Sequence, residues 1–232
     1  VFGKNYSMQE RLKVSTLDTR NLENEAGITF EFERIPLEFG GEEYSDVFTR
    51  KNNKTLRETL NHERYGNRNL PPNSEKKLGE YIFEHYEHCL DEPLGEFLLQ
   101  RKSGDEQIYR YFLNPYGDEK YSNFKIVDQG FVAAKGVYAY FRGESKKPVY
   151  IGRCKDSMGK RVNQGYGKIA PKNCFIDGQS TNCHLNSEIT KSKELVSLWL
   201  HSLASDEDIA TLEKELIERY QPEWNRLGID PT

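Results

Sequence analysis

Two tyrosines, one arginine and one glutamate carry the most chemistry in this sequence. Tyr138 and Tyr150 stand twelve residues apart in GVYAYFRGESKKPVYIGRC, Arg161 follows eleven residues after Tyr150, and Glu213 lies in SDEDIATLEKELIERY. A tyrosine, with a reference pKa of about 10, is a poor base unless nearby cations favour the phenolate. Arg153, Lys155, Lys160 and Arg161 lie close enough in sequence to supply that field. A guanidinium at Arg161 offers a rigid fork of donors that matches phosphate oxygens. Its natural task is to bind a scissile phosphate and stabilise the charge that develops at phosphorus. Glu213 shares one side of its helix with Ile217 and Tyr220. A carboxylate on an apolar side is unfavourable without a purpose, and an oxygen-seeking ion such as magnesium is one purpose. Each residue also has a plainer reading. The tyrosines suit a sheet, Arg161 suits a phosphate anchor or a surface ion pair, and Glu213 suits a pair with Lys214 or Arg161.

Other chemistry is thinner. Cys174, Cys183 and His184 do not have the paired spacing of a structural zinc module. His184 remains a candidate phosphate contact or proton-transfer group. The sequence contains no Walker A loop, no dinucleotide fingerprint and no nucleophile elbow.

The elements that must position these residues are legible in outline. GVYAYFRG and KPVYIGRC read as strands joined through GESKK, which sets both tyrosines on one face of a sheet. A helix is expected from about Asp156 until Gly165 or Gly167. PKNCFIDGQSTNC reads as a loop, and HLNSEITKSKELVSLWLHSL carries both helical and strand-like segments with no boundary marked between them. The closing helix starts at a Ser205 cap, buries Ile209, Leu212, Leu216 and Ile217, and stops at Pro222. In the first half, ITFEFERI alternates like a strand, Pro36 breaks it, and FGGEE reads as a turn. KTLRETL reads as a short helix. SEKKLGEYIFEHYEHCL reads as a longer one capped by Ser74. GEFLLQRK and EQIYRYFLN read as a hairpin around Ser103-Gly104-Asp105.

The 232 residues suit one large domain or two small ones, and 36% hydrophobic content permits a real core. A soft boundary falls near residue 125, giving a region 1–125 and a region 126–232. No stretch is apolar enough to span a membrane, and no secretory leader is recognisable. Four scattered cysteines fit a reducing cytoplasm. The formal net charge of -4 conceals a local excess: residues 131–172 hold ten Lys and Arg against two Asp and Glu. Such a zone can hold a polyanion on an acidic protein.

GVY at 136–138, YIG at 150–152, Arg161 and the closing LEKELIERYQPEWN together resemble the GIY-YIG nuclease superfamily over about residues 131–227. The superfamily includes homing endonucleases, a nucleotide-excision-repair nuclease and some type II restriction enzymes. The resemblance implies an α/β catalytic domain with a central three-stranded antiparallel sheet flanked by helices. Residues 1–125 would be an added α+β extension for DNA recognition, dimerisation or regulation.

It further implies that Tyr138 is a general base or water-positioning group and that Tyr150 organises the attack site. Arg161 then contacts the scissile phosphate, Glu213 binds the metal, and Asn225 supports the site. Arg153 stands where many members have lysine. Lys155, Lys160 and Lys168 are expected on the DNA groove. Several members carry His or Tyr four residues after the catalytic arginine. Here that place is Gly165, so Tyr166 or His184 must substitute.

The expected activity is hydrolysis of double-stranded DNA with Mg2+, or Mn2+ in its place, leaving 5′-phosphate and 3′-hydroxyl ends. Restriction-type cleavage by a homodimer, beside a companion methyltransferase that is not directly bound, is the first expectation. A homing or repair-type nickase and an inactive DNA-binding module are the alternatives.

Overall fold

The computed structural model describes residues 18–70 and 75–225. Strands β1 (Thr19–Glu23), β2 (Thr29–Ile35) and β3 (Leu37–Tyr44) come first. Helices α1 (Leu56–Leu60), α2 (Glu63–Gly66), α3 (Leu78–His85) and α4 (Leu94–Ser103) follow. Next come β4 (Tyr121–Ile126), α5 (Gln129–Ala133), β5 (Gly136–Arg142) and β6 (Tyr150–Cys154). A π-helix (Gly159–Tyr166), α6 (Ser180–Lys191), β7 (Val196–Ser202) and α7 (Asp206–Tyr220) complete the fold. Among the described residues, no helix is long and apolar enough to cross a membrane.

The main sheet is antiparallel with strand order β1-β2-β7-β5-β6, so it has five strands where three were expected. The additional pair arises because β2 hydrogen-bonds the outer edge of β7, with Ile35 opposite Leu198. That pairing buries Leu22 and Phe32 in the sheet's core. Period-two alternation divides β5 between two cores. Val137, Ala139 and Phe141 face Ile209, Leu212 and Leu216 of α7 on one side. Tyr138 and Tyr140 face Val162, Tyr166, Leu185 and Trp224 on the other. A third core gathers the helices of residues 47–113 around Phe97 and Phe112, and takes in Phe175 and Cys183 from the second half.

Three local expectations give way. FGGEE is not a turn but the second part of β3. Pro36 does end β2, as expected, and β3 starts anew at Leu37, pairing with β4 in a separate two-stranded sheet through a register shift between Gly40 and Tyr44, where Gly41 takes a φ of +71°. Residues 94–112 are not a hairpin. Buried Leu94, Phe97 and Leu98 recur at helical spacing in α4, and a 3-10 helix covers Gln107–Phe112. Helix α6 begins at Ser180, inside the stretch expected to be loop, and so brings Cys183 and His184 onto a helix. Ser74 lies outside the described residues; α3 starts after Lys77, whose amide donates to the Glu80 carboxylate at 3.1 Å. The short helix at KTLRETL is present, with Thr55 and Glu58 forming a capping box.

Candidate active site around Tyr138 and Arg161

Gly136 opens β5 against β7 at a distance only glycine tolerates: a Cβ there would lie 2.0 Å from the His201 carbonyl oxygen. Two residues on, Tyr138 sits opposite Gly152 of β6, and Tyr140 sits opposite Tyr150. Gly152 leaves the space that the aromatic rings occupy. A Cβ on it would meet the Tyr138 hydroxyl and the Tyr150 ring at 2.7 Å each. The glycine of YIG is therefore a packing requirement of the two tyrosines. Their ring centroids are 5.9 Å apart.

Arg161 enters from the π-helix. Its Nε donates to the Tyr138 hydroxyl at 2.9 Å. Its guanidinium carbon stands 5.5 Å from the centroid of the Tyr166 ring, within cation–π range. The helix kinks at Gly165, whose backbone is non-helical at φ -101° and ψ -111°. The Gly167 amide donates to the Val162 carbonyl, five residues back, at 2.8 Å, and a π-turn carries residue i+5 to the side that i+4 takes in an α-helix. Tyr166 is thereby placed against Arg161. Its own hydroxyl is engaged by Tyr140 at 3.0 Å. Tyr140 was missed by the sequence reading, although the Y-A-Y alternation places it on the Tyr138 face.

The field at Tyr138 differs from the one expected. Its side chain is fully buried, and burial raises its pKa well above 10.0 while Arg161 opposes more weakly. Cations do not create a phenolate here, and Tyr138 keeps its proton at neutral pH. The Tyr138 phenol beside Arg161 in turn pushes the guanidinium further up, so Arg161 is always charged. Arg161 also borders an open cleft of about 300 Å³ whose other wall is Gly178–Asn182, leading into the first turn of α6.

Glu213 meets the site from a different direction. The apolar residues of α7 lie on the opposite face of the sheet from Tyr138, and the Glu213 carboxylate reaches the edge strand, where Arg153 pairs with it at 3.0 Å. Burial raises the Glu213 pKa, and the charges of Arg153, Arg161 and Lys155 act against that rise. The expected partners Lys214 and Arg161 are not its ion-pair partners; Lys214 pairs with Glu218 instead. Among the described residues, no group of three His, Cys, Asp or Glu side chains is arranged to hold a metal. Of the expected site residues, Glu213 alone carries a carboxylate that could serve as an oxygen ligand, and Arg153 engages it.

The remaining expected residues fall into three places. Asn225 closes the edge of β6, accepting from the Ile151 amide at 2.7 Å and donating to the Ile151 carbonyl at 2.6 Å. Its side-chain amide thus substitutes for a further strand beside Tyr150. Lys155, Lys160 and Lys168 are exposed, and Lys160 lies 3.7 Å from Asp156. His184 is turned away from the tyrosines: it bonds the Trp224 carbonyl at 3.1 Å and packs its ring 4.6 Å from that of Tyr116. Burial lowers its pKa, and its Nδ1 has no hydrogen-bond partner. All four cysteines are free and buried. The chain matches no family model, no curated protein and no solved structure.

Proposed function

We propose that the protein is a DNA endonuclease of the GIY-YIG type, hydrolysing phosphodiester bonds with restriction-type specificity. The observation that supports this reading most is the hydrogen bond from Arg161, which lines the cleft, to the buried Tyr138 hydroxyl. It holds a permanently charged guanidinium in one orientation, with its remaining donors free to grip a nonbridging phosphate oxygen. Tyr138, with its proton held by burial, orients Arg161 and does not remove a proton from water. Tyr166 supports the guanidinium from the ring side. Tyr150 and Gly152 set the position of the Tyr138 ring.

Glu213 is the residue that would hold magnesium, sharing its carboxylate with Arg153. When bound, the ion supplies Lewis-acid stabilisation and a bound water of lowered pKa. In the overall reaction a water oxygen bonds to phosphorus, the bond to the 3′ oxygen breaks, and that oxygen takes up a proton. The products carry 5′-phosphate and 3′-hydroxyl ends.

One observation favours a non-cleaving DNA-binding module instead: the Arg153 guanidinium already engages the Glu213 carboxylate. Incubating the purified chain with supercoiled plasmid, in magnesium and in EDTA, separates the two readings. The nuclease reading expects magnesium-dependent cleavage that Arg161→Ala reduces at least a hundredfold, with the circular dichroism spectrum unchanged. Linear product indicates restriction-type cleavage, and open-circular product indicates a nickase. Undiminished cleavage by the variant would remove Arg161 from its role.

A further inference from the structure

The first half of the chain carries a net negative charge, with 18 Lys and Arg against 24 Asp and Glu in residues 1–130. Within it, RKNNKTLR at residues 50–57 holds four basic residues and no acid. Arg57 is taken up by Asp91 through contacts of 2.9 and 3.0 Å. Lys51 and Lys54 are not used in this way. They line a small concavity together with His62 and Asp177. Lys51 is held there by the Phe175 ring, with its ammonium 5.1 Å from the ring centroid. Asp177 is the one acid at this place, and its carboxylate already accepts from the Tyr65 hydroxyl at 2.5 Å.

The concavity adjoins the Arg161 cleft. Asp177 lines the first, and its chain neighbour Gly178 lines the second. Consecutive Cα atoms are about 3.8 Å apart, so adjacent residues of one short segment line the two depressions. Gly178 also packs on the 3-10 turn Pro171–Cys174: a Cβ on it would lie 2.1 Å from the Lys172 carbonyl oxygen. The Lys172 backbone therefore lies against Gly178, and both Lys54 and Lys172 are exposed. Arg161 thus lines the cleft, Lys51 and Lys54 line the neighbouring concavity, and Lys172 stands on the turn that packs against Gly178.

We infer that Lys51, Lys54 and Lys172 extend the Arg161 cleft into a phosphate track that holds the backbone of duplex DNA, so that residues 47–62 form part of the DNA-binding surface. This rests on the nuclease reading only for the identity of the polyanion. Lysine contacts of this kind fix the position and orientation of a duplex and carry no base information. The acidic composition of the first half does not oppose it, because the potential at a groove is set by charges within about a Debye length and not by the total.

The test is binding of a fluorescein-labelled mixed-sequence duplex to the full chain in EDTA, followed by anisotropy over a range of salt concentrations. Lys54→Glu/Lys172→Glu is compared with Lys120→Glu/Lys193→Glu, the same charge change beside the far end of α6. That helix has twelve residues and is about 18 Å long. The track expects Lys54→Glu/Lys172→Glu to weaken binding at least tenfold. It also expects the slope of log K against log salt to fall by about 0.9 for each lost contact, with the control pair changing neither by as much. Equal effects from both pairs, or no measurable binding by the unaltered chain, overturn the track. Cleavage of plasmid in magnesium is read separately. A chain that binds through Lys54 and Lys172 but never cleaves retains the track and loses the nuclease reading. A chain that cleaves while both pairs behave alike retains the nuclease reading and loses the track.

Discussion

Glu213, the carboxylate of the proposed site, stands where the fold alone disfavours a charge. Burial favours its protonated form, against the attraction of Arg153 and Arg161. The folded state therefore binds this proton more tightly than the unfolded chain. Its stabilising effect is complete below the ordinary value of 4.5 and is lost as pH rises through the higher folded-state pKa. Glu213→Gln keeps the shape and removes the charge. The Arg153 side chain, 47% exposed, stays hydrated when its partner is neutralised. The variant is expected to melt about 2–4 °C higher than the parent at pH 8. The advantage should disappear near pH 4, and magnesium-dependent cleavage should be lost. Calorimetry at the two pH values, beside the plasmid assay, checks both halves. A lower melting temperature at pH 8 would show that the ion pair outweighs the burial of the charge.

At the level of elements, the β5–β6 pair and the π-helix work as one device. The strands set the two tyrosine rings side by side over Gly152, and the π-turn supplies Arg161 and Tyr166 to the same face. Gly152→Ala introduces a methyl group where the Tyr138 hydroxyl and the Tyr150 ring already stand. Overpacking of this kind destabilises by about 1–3 kcal/mol. The displaced phenol also loses its hold on Arg161, so cleavage should fall more than tenfold while the protein remains folded below its new melting temperature. A urea titration and a cleavage time course measure the two effects. Parental activity in the variant would show that the Tyr138–Arg161 bond does not position the guanidinium.

Across the whole molecule, the sheet and its cores are shared between the two halves of the chain. β2 covers the outer edge of β7, and Leu22 and Phe32 share a core with α7. Ile35 and Phe124 join the tyrosine core, and Ile169, Cys174, Phe175 and Cys183 join the helical core of residues 47–113. A fragment of residues 126–232 would expose an unpaired strand edge and several apolar faces at once. It is expected to bind a hydrophobic dye and to melt without a sharp transition. A sharp, cooperative melt with no dye binding would show that the second half folds by itself.

The residues of the site were legible one by one. Tyr138, Tyr150, Arg161 and Glu213 stand out as candidates by type and spacing, and Asn225 only through the resemblance of the closing stretch. The strands that carry the tyrosines follow from period-two alternation, and the closing helix from its apolar stripe and Ser205 cap. These are local properties, fixed by backbone geometry within a few residues. The hairpin wrongly expected at residues 94–112 marks their limit, because short apolar runs satisfy either period until packing decides.

Tertiary structure alone decided the rest. It added β1 and β2 to the sheet, since strand pairing across more than 160 residues leaves no trace in either segment. It set Tyr166 against Arg161 through a π-turn, which no residue type specifies. It placed Arg153 on Glu213, and it turned His184 toward Trp224. It also kept the Tyr138 proton in place, because the pKa of a buried phenol depends on everything packed around it and not on the cations beside it in the chain.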